Sequence, residues 1–523
     1  MNSITAQALK QCFVAGGEIA LLDVREHGEY GSAHPFHAVN LPFSRFEAEI
    51  EARVPRRQAP IVIMDQEGEG RARQCAGIAT AMGYDDVRVL AGGAAAWQAA
   101  GYNMFAGVNV PSKAFGELVH ERFHPPSITA RALADWQARG TPVKVFDVRP
   151  VSEYRKMTIP GSICCPNGEL VKRLPALLPD AAAPVVLNCA GRTRGIIGAQ
   201  TLRWLGLSNP VYALENGTQG WRLAGLELEH GGDRLYPAAA ETDTAMAAGA
   251  QALARRHGAH EVDAETLSAW LADGARTTYV LDVRTAEEHA ADHLPGAAHA
   301  PGGQLIQATD QWVGVYRARL VLVDDDACRA PVVATWLTLM GWETAWLKGG
   351  RRYWRDIRPA ARRASTRGPM LPSLAPASLE DVLRGDALCL DLRPSMHYRA
   401  AHLPGARWVN RALLDAQLRD ISRNTPLILI ADHDAVAAIL AADLTARGFN
   451  PPRRLAFDAA RCAAAGVTPE TTPQEPSDDA CIDYLFFVHD RHDGNLEASR
   501  RYLAWETGLT AQLDAEERAT FAL

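Results

Sequence analysis

Short apolar runs alternate with segments of mixed polar and apolar character along the whole chain of 523 residues. The most apolar runs are IVIMD from Ile61, VVLNC from Val185, LVLVD from Leu320 and LILIA from Leu427. Runs of this kind predict strands buried on both faces, which is typical of parallel sheets covered by helices. We therefore expect an α/β fold, with mostly parallel sheets flanked by helices on both faces.

A longer phrase recurs four times, and each copy opens with a short apolar strand that ends in Asp-Val-Arg or Asp-Leu-Arg. The aspartates of the four copies are Asp23, Asp147, Asp282 and Asp391. A polar helical turn follows each one, then a Pro-Gly turn in three of the four copies, a helix, a second strand and another helix. Three copies continue with a third strand and a tryptophan, at positions 97, 221 and 354. Repeats of this size are whole domains rather than solenoid units.

The repeat predicts four domains, at residues 1–107, 112–230, 258–362 and 372–468, and a tail at 478–523. Alanine-rich residues 238–258 predict a partly helical linker, and the proline-containing segments 359–376 and 468–477 separate the later domains. The tail begins with IDYLFFVHD, which is typical of a strand. It continues with LEASRRYLAWETGL, in which Leu496, Tyr502, Leu503 and Trp505 predict an amphipathic helix. We expect this tail to pack back on the domains.

Composition narrows the class of protein. A formal net charge of -7 argues against a nucleic-acid binder, whose interface would be basic. The sequence has no apolar stretch long enough to span a membrane and no signal-peptide pattern at its N-terminus. Nine cysteines are too sparse for a disulfide framework, and no CxxC or histidine-rich motif suggests a metal site. These features predict a cytoplasmic protein without metal or organic cofactor.

The combination of motifs resembles the rhodanese family. It consists of Asp-Val-Arg, then Glu-Tyr, then Ile-Pro-Gly or Leu-Pro-Gly, then a strand, a cysteine, a loop and a helix, and finally Gly-x-x-x-Trp. The resemblance extends over nearly the whole chain, except for a linker and the tail. It implies four tandem rhodanese-like domains and a sulfurtransferase activity, in which a cysteine accepts sulfur as a persulfide.

Cys189 is the candidate nucleophile, because it lies between the strand VVLN and a helix that begins near Ile196. In this fold the ligand site lies at the carboxyl end of the strands. Backbone N–H groups of the loop and the N-terminus of the helix form an anion site, to which Arg192 and Arg194 add positive charge. We expect these groups to lower the pKa of the thiol and to stabilise a persulfide.

The other three domains lack a cysteine at the matching position, where Asp65, Asp324 and Ala431 stand instead. A carboxylate cannot accept sulfane sulfur and repels an anionic donor. Cys75 and Cys328 follow these aspartates and are expected to pack in the core. We therefore expect only the second domain to be catalytic.

The predicted substrate-binding loop has six members after the nucleophile: Ala190, Gly191, Arg192, Thr193, Arg194 and Gly195. Guanidinium groups bind oxyanions through paired hydrogen bonds, so Arg192 and Arg194 are the candidates for holding thiosulfate. Asp147, Arg149 and Glu153 are expected to support the site. Asp147 would hydrogen-bond loop groups, and Arg149 would pair with a carboxylate such as Glu153. Because Asp-x-Arg recurs in all four domains, its default role is structural.

Further side chains are weaker candidates. Cys164 and Cys165 follow a Pro-Gly turn, and core packing is favoured over a role as a second thiol. The segment 110–128 joins the first two domains, and its Lys113, His120, Glu121 and His124 are candidates to reach the Cys189 pocket.

The leading hypothesis is an enzyme that transfers sulfur from thiosulfate, or a related small anionic donor, through Cys189 to cyanide or a thiol. The alternative is a scaffold or sulfur carrier that delivers persulfide sulfur to a dedicated protein. A phosphatase or arsenate reductase on the same fold is disfavoured, because the phosphatases have a longer loop. Four equivalent units allow a homodimer through exposed sheet or helix faces, but no residue specifies one. We expect neither nucleic acid nor membrane as a partner.

Overall fold

The computed structural model describes residues 2–178, 182–238, 241–357, 371–490 and 495–523. The chain divides into two compact units. One contains the first and fourth domains, and the other contains the second and third domains together with the end of the chain. The predicted segment 359–376 lies largely outside the described residues.

The described strands form four separate parallel sheets, one in each domain. The first domain contains β1 (Asn2–Ile4), β2 (Ala20–Asp23), β3 (Val39–Asn40), β4 (Ile61–Met64) and β5 (Val87–Leu90). The second contains β6 (Ser127–Ile128), β7 (Lys144–Asp147), β8 (Ile163–Cys164), β9 (Val185–Asn188) and β10 (Val211–Leu214). The third contains β11 (His260–Val262), β12 (Thr278–Asp282), β13 (Ala298–His299), β14 (Arg319–Val323) and β15 (Glu343–Leu347). The fourth contains β16 (Leu388–Asp391), β17 (Arg407–Trp408), β18 (Leu427–Ile430) and β19 (Arg453–Leu455).

Helices connect these strands. In the first domain they are α1 (Ala6–Ala15), α2 (His27–Ser32), α3 (Phe46–Arg53), α4 (Gly70–Ala81) and α5 (Gly93–Ala99). In and before the second they are α6 (Val110–Phe123), α7 (Ala130–Ala138), α8 (Val151–Lys156), α9 (Leu170–Arg173), α10 (Thr193–Trp204) and α11 (Gly217–Leu223). In and before the third they are α12 (Thr244–Arg256), α13 (Ala264–Ala272), α14 (Ala286–Ala291), α15 (Gly302–Gln307) and α16 (Arg329–Leu339). The fourth domain and tail contribute α17 (Leu379–Leu383), α18 (Ser395–Ala400), α19 (Leu414–Gln417), α20 (Asp434–Ala446), α21 (Ala459–Ala464), α22 (Phe486–His489), α23 (Leu496–Thr507), α24 (Leu509–Gln512) and α25 (Ala515–Arg518).

Short 3-10 helices complete the described secondary structure. They are Phe43–Arg45, Asn167–Glu169, Leu174–Leu177, Thr309–Gln311, Gly350–Asp356, Arg411–Leu413 and Asp478–Ala480.

The sheet of the second domain has the strand order β6-β10-β9-β7-β8, and every pairing is parallel. The last residue of β7, Asp147, lies opposite the last residue of β9, Asn188. The carboxyl ends of these two central strands therefore meet at one edge of the sheet, where loops follow both. The predicted α/β fold with parallel sheets and flanking helices is confirmed in all four domains.

The Asp-x-Arg motif has the same structure in every domain. The arginine folds back and pairs with the aspartate two residues earlier, in Asp23–Arg25, Asp147–Arg149, Asp282–Arg284 and Asp391–Arg393, at 2.6 to 2.7 Å. All four aspartates are fully buried. Because three of these domains lack a nucleophilic cysteine, the predicted structural role of the motif is supported.

The tail only partly follows its prediction. IDYLFFVHD, expected as a strand, contains a short helix, α22, so that expectation is wrong. Helix α23 does form, and it packs against α6 and α11 of the same unit. Its buried face includes Tyr502 and Glu506, whereas Leu496 is exposed. The predicted partly helical linker contains α12, which packs on α16.

The second and third domains share a buried ionic contact within their unit. Arg329, at the start of α16, is fully buried and pairs with Glu169 of the second domain at 2.9 Å and with Glu288 at 2.7 Å. Trp336 donates a hydrogen bond to Thr201 across the same contact at 2.8 Å. Among the described helices, none is long and apolar enough to cross a membrane.

Candidate active site

Cys189 follows β9 directly and begins the loop that leads into α10. Its side chain is almost fully buried, with 3% of the residue exposed. The backbone N–H of Gly195 interacts with the thiol and acts to lower its pKa. The Cys189 carbonyl accepts a hydrogen bond from the N–H of Thr218 at 2.8 Å, which anchors the loop to the start of α11.

The matching loops of the first and third domains, which have an aspartate in place of the cysteine, show which groups such a loop can bind. In the first domain the Asp65 carboxylate accepts hydrogen bonds from the N–H groups of Gly68 at 2.6 Å and Ala72 at 2.9 Å. In the third domain Asp324 accepts four backbone hydrogen bonds, including those of Arg329 at 2.8 Å and Ala330 at 2.9 Å. The loops of the first and third domains therefore present a ring of backbone N–H donors, and in both a carboxylate accepts their hydrogen bonds; around Cys189 such a ring stays a prediction.

The predicted lowering of the Cys189 pKa is wrong in direction. Burial raises the pKa of the thiol above its usual value, and the nearby Glu506 carboxylate acts in the same sense. Arg194, the Gly195 N–H and Lys113 lower the pKa without reversing the effect of burial. The sequence identified the positive groups, but it could not show how completely the sulfur is removed from water.

Both loop arginines are held by carboxylates. Arg194 forms a bidentate pair with Glu153 at 2.7 and 2.8 Å and also donates to Gln304 at 3.1 Å. Arg192 forms a bidentate pair with Glu117 of α6 at 2.7 and 2.9 Å. Each guanidinium therefore has a built-in partner in place of the expected open position toward a donor.

The supporting residues differ in part from their predicted contacts. Asp147 bonds to Arg149 and accepts a hydrogen bond from Thr158 at 2.7 Å, rather than bonding the Cys189 loop as expected. Arg149 does lie near Glu153, with 3.8 Å between the charged atoms. Glu153 mainly binds Arg194 and also lies near Arg149. It therefore connects the residues that follow β7 to the Cys189 loop.

A cavity of about 130 Å³ opens beside Cys189. Of the predicted loop, Ala190, Gly191 and Arg194 line it, whereas Arg192, Thr193 and Gly195 do not belong to its wall. Three glutamines of the third domain, Gln304, Gln307 and Gln311, and two tail residues, Val488 and Tyr502, line it as well. The site is therefore assembled from several elements of one compact unit.

Lys113 is the one member of the predicted group from segment 110–128 that lines this cavity; His120, Glu121 and His124 do not. Its ammonium group lies 3.1 Å from the Glu506 carboxylate of α23. The same carboxylate oxygen accepts a hydrogen bond from the Thr193 hydroxyl at 2.8 Å.

Sequence reasoning missed Glu506, Glu117 and the three glutamines. Their partners are far away along the chain: Thr193 and Glu506 are 313 residues apart, and Arg192 and Glu117 are 75 apart. No local pattern marks such contacts.

Four further cysteines, none of them at the position of Cys189, lie in the cores of their domains. Cys164 and Cys165 are fully buried, and burial raises the pKa of Cys164 to about 12. Cys75 and Cys328 are also fully buried, as expected. Burial raises the pKa of Cys328 to about 12 as well.

A profile of the rhodanese-like domain matches the chain four times, at residues 5–100, 129–224, 263–357 and 375–456. The chain belongs to the rhodanese family. The crystal structure of a thiosulfate sulfurtransferase from Pseudomonas aeruginosa is 39% identical to this rhodanese, with a TM-score of 0.89 over 100% of this chain and 99% of that one.

A rhodanese-related protein from Thermoplasma volcanium is 27% identical over 20% of this chain and 97% of its own, with a TM-score of 0.18. The comparison with curated proteins found no match. The four repeats are thus rhodanese-like domains, and the protein is a rhodanese-like transferase.

Proposed function

We propose that this rhodanese transfers sulfane sulfur from thiosulfate, or a closely related small anion, through a persulfide on Cys189 to cyanide or a small thiol. The observation that carries the proposal is the position of Cys189 on the wall of a small polar cavity that also contains Arg194 and Lys113. Volumes of about 130 Å³ hold only a few water-sized groups, which suits a compact anion better than an extended organic donor. The similar protein from Pseudomonas aeruginosa, a thiosulfate sulfurtransferase, supports the same donor.

The proposed reaction has two steps. The Cys189 thiol first loses its proton to solvent, and the thiolate attacks the outer sulfur of thiosulfate. The S–S bond of thiosulfate breaks, its electron pair leaves with sulfite, and a Cys189 persulfide anion remains. Cyanide or a thiolate then attacks the outer sulfur of the persulfide and leaves as thiocyanate or a new persulfide, which restores the Cys189 thiolate. The ring of N–H groups and the positive charges stabilise the thiolate and the persulfide.

Intact-mass measurement of the reduced protein before and after thiosulfate tests this proposal. We expect a gain of one sulfur atom, about 32 Da, that cyanide removes, as covalent catalysis requires. The gain should disappear in Cys189→Ser and persist in Cys75→Ser, a matched change at a buried cysteine of an inactive domain. A wild-type protein that gains no sulfur contradicts the proposal. Sulfur that loads but is not released to cyanide would favour the carrier hypothesis.

A further inference from the structure

Two cations line the Cys189 cavity, Arg194 and Lys113. The pair that Arg194 forms with Glu153 recurs where there is no nucleophile. In the first domain Arg71 forms a bidentate pair with Glu29 at 2.6 and 2.8 Å, and in the third Arg329 pairs with Glu288 at 2.7 Å. This contact occurs in domains with and without the cysteine, so it stabilises the loop itself. It does not explain how a donor binds in the second domain.

Lys113 has no counterpart on the matching helix of the third domain. It lies on α6, which packs on α10, the helix that follows the Cys189 loop. The third domain has the same arrangement, with α12 packed on α16, but the sequence of α12, TAMAAGAQALARR, contains no lysine. The lysine therefore belongs to the domain with the nucleophile and is absent from the matching helix of a domain without one.

The surroundings of Lys113 keep it charged inside the cavity wall. The residue is 8% exposed, and its ammonium lies 3.1 Å from Glu506 and 5.6 Å from the centre of the Tyr502 ring. Burial acts to lower the pKa of Lys113, but Glu506 and Tyr502 raise it, and the net shift is upward. An ammonium has three N–H donors, so the contacts with Glu506 and Tyr502 leave one donor for a second ligand.

The wall contributed by the third domain is polar and uncharged. Gln307 and Gln311 line the same cavity as Lys113, and neither brings a negative charge. The side-chain oxygen of Gln307 is buried and can only accept hydrogen bonds, so an anion here would bind to N–H donors such as those of Lys113.

We propose that Lys113 is the specificity-determining residue that binds the oxyanion end of the sulfur donor, and that Glu506 is the positioning residue that holds Lys113 in the cavity. The inference rests on the proposed transfer of sulfur from a small anionic donor. It assigns the C-terminal helix α23 a role in donor binding.

Steady-state and single-turnover kinetics of Lys113→Gln test the proposal. A hydrogen bond from a charged donor contributes enough for KM for thiosulfate to rise about 10- to 100-fold. Release of sulfur from the preloaded persulfide to dithiothreitol, whose attacking thiolate carries no oxyanion group, should change several-fold less than KM, because that step does not use the oxyanion contact. Sulfite, the first product, carries the same oxyanion group, so its inhibition constant should rise in parallel with KM.

Three further variants control the result. Lys172→Gln removes a lysine of equal burial that pairs with Asp326 at 2.8 Å, away from the cavity, and should leave KM unchanged. Glu506→Gln should raise KM with little change in the rate of sulfur release. Glu497→Gln alters an exposed carboxylate on the same helix, so both KM and the rate of sulfur release should stay at their wild-type values. Urea unfolding of each variant separates loss of binding from loss of folding.

The outcomes distinguish this inference from the proposed function. If the wild type gains no sulfur from thiosulfate, both fail. If it gains sulfur but Lys113→Gln keeps the wild-type KM and sulfite inhibition, only the role of Lys113 is overturned. A rise in KM that Lys172→Gln matches, or that accompanies an equal loss of stability, also overturns it, since the lysine would then be structural.

Discussion

In the proposed reaction, the protonation of one buried residue, Cys189, controls how fast sulfur is loaded, because only the thiolate attacks the donor. Burial raises the pKa of the thiol above its usual value, so the thiolate is a minor species at neutral pH. Loading should therefore become faster with rising pH, by about tenfold per unit while the pH is below that pKa. Arg194 makes the largest lowering contribution, so Arg194→Met should shift the profile toward higher pH.

Single-turnover loading, followed by intact mass between neutral and alkaline pH, measures this dependence. Unfolding must be recorded over the same range, so that loss of structure is not taken for loss of reactivity. A rate that is constant through neutral pH would mean that the thiolate is already formed, contrary to the raised pKa.

The sequence alone predicts Cys189 and its loop as the candidate site, because the cysteine, the glycines and the arginines are adjacent in the chain. It could not predict that Glu117 and Glu153 hold the two arginines, or that Glu506 lies against the loop. Those carboxylates come from other helices, and their positions depend on packing between distant segments. The direction of the thiol pKa was missed for the same reason, since burial is a property of the folded chain.

Among the elements, the central strands could be predicted because each is a short, mostly apolar run that stands next to a recurring motif. The edge strands could not, since β6 and β8 have only two residues each, too few for a periodic pattern. IDYLFFVHD was assigned to a strand although it contains a helix, because a short apolar run has no period that separates the two.

The start of α11 offers an element-level test of how the Cys189 loop is held. Gly217 has φ +52°, and a Cβ there would collide with the Cys189 carbonyl. Gly93 and Gly350 occupy the same place in the first and third domains, again with positive φ and no room for a side chain. The turn therefore needs glycine both for its backbone and for the close approach of the loop.

Gly217→Ala should lower the free energy of unfolding by about 1–2 kcal/mol for the left-handed backbone and a further 1–3 kcal/mol, roughly, for the collision. It should also reduce sulfur loading, because the displaced carbonyl belongs to the nucleophile. Gly225→Ala is the matched control, because Gly225 has φ +78° and open space around the new methyl group. This variant should lose only the ~1–2 kcal/mol that the left-handed backbone costs. Urea denaturation compares the two; equal losses would show that the loop tolerates the displacement.

At the scale of the whole molecule, the third domain, which has no cysteine at the matching position, contributes to the site in ways that the repeat alone did not indicate. The third domain contributes Gln304, Gln307 and Gln311 to the cavity, and its Arg329 binds Glu169 of the second domain. The repeat could give the number of domains and their fold, but not which of them share a unit, because that depends on the contacts between surface side chains.

The third domain also allows the requirements for catalysis to be separated. Asp324 already sits in a ring of backbone N–H donors, so Asp324→Cys would place a thiol where the ring is intact. The residue is 1% exposed, two cations beside its loop, Arg329 and Lys172, are bound by carboxylates, and the neighbouring helix α12 has no lysine. In our proposal, the second domain adds a cation that binds the sulfur donor in an open cavity. A ring of N–H donors alone should therefore not support the loading of sulfur.

The double variant Cys189→Ser/Asp324→Cys should therefore gain no sulfur from thiosulfate, although it carries a thiol at the position equivalent to the nucleophile. Intact mass measures the result, and peptide mapping would locate any sulfur that is added. The single variant Asp324→Cys is the control, because it should still load Cys189 if the unit remains folded. A mass gain of about 32 Da at position 324 of the double variant would contradict this argument, since the N–H ring would then be sufficient for covalent catalysis.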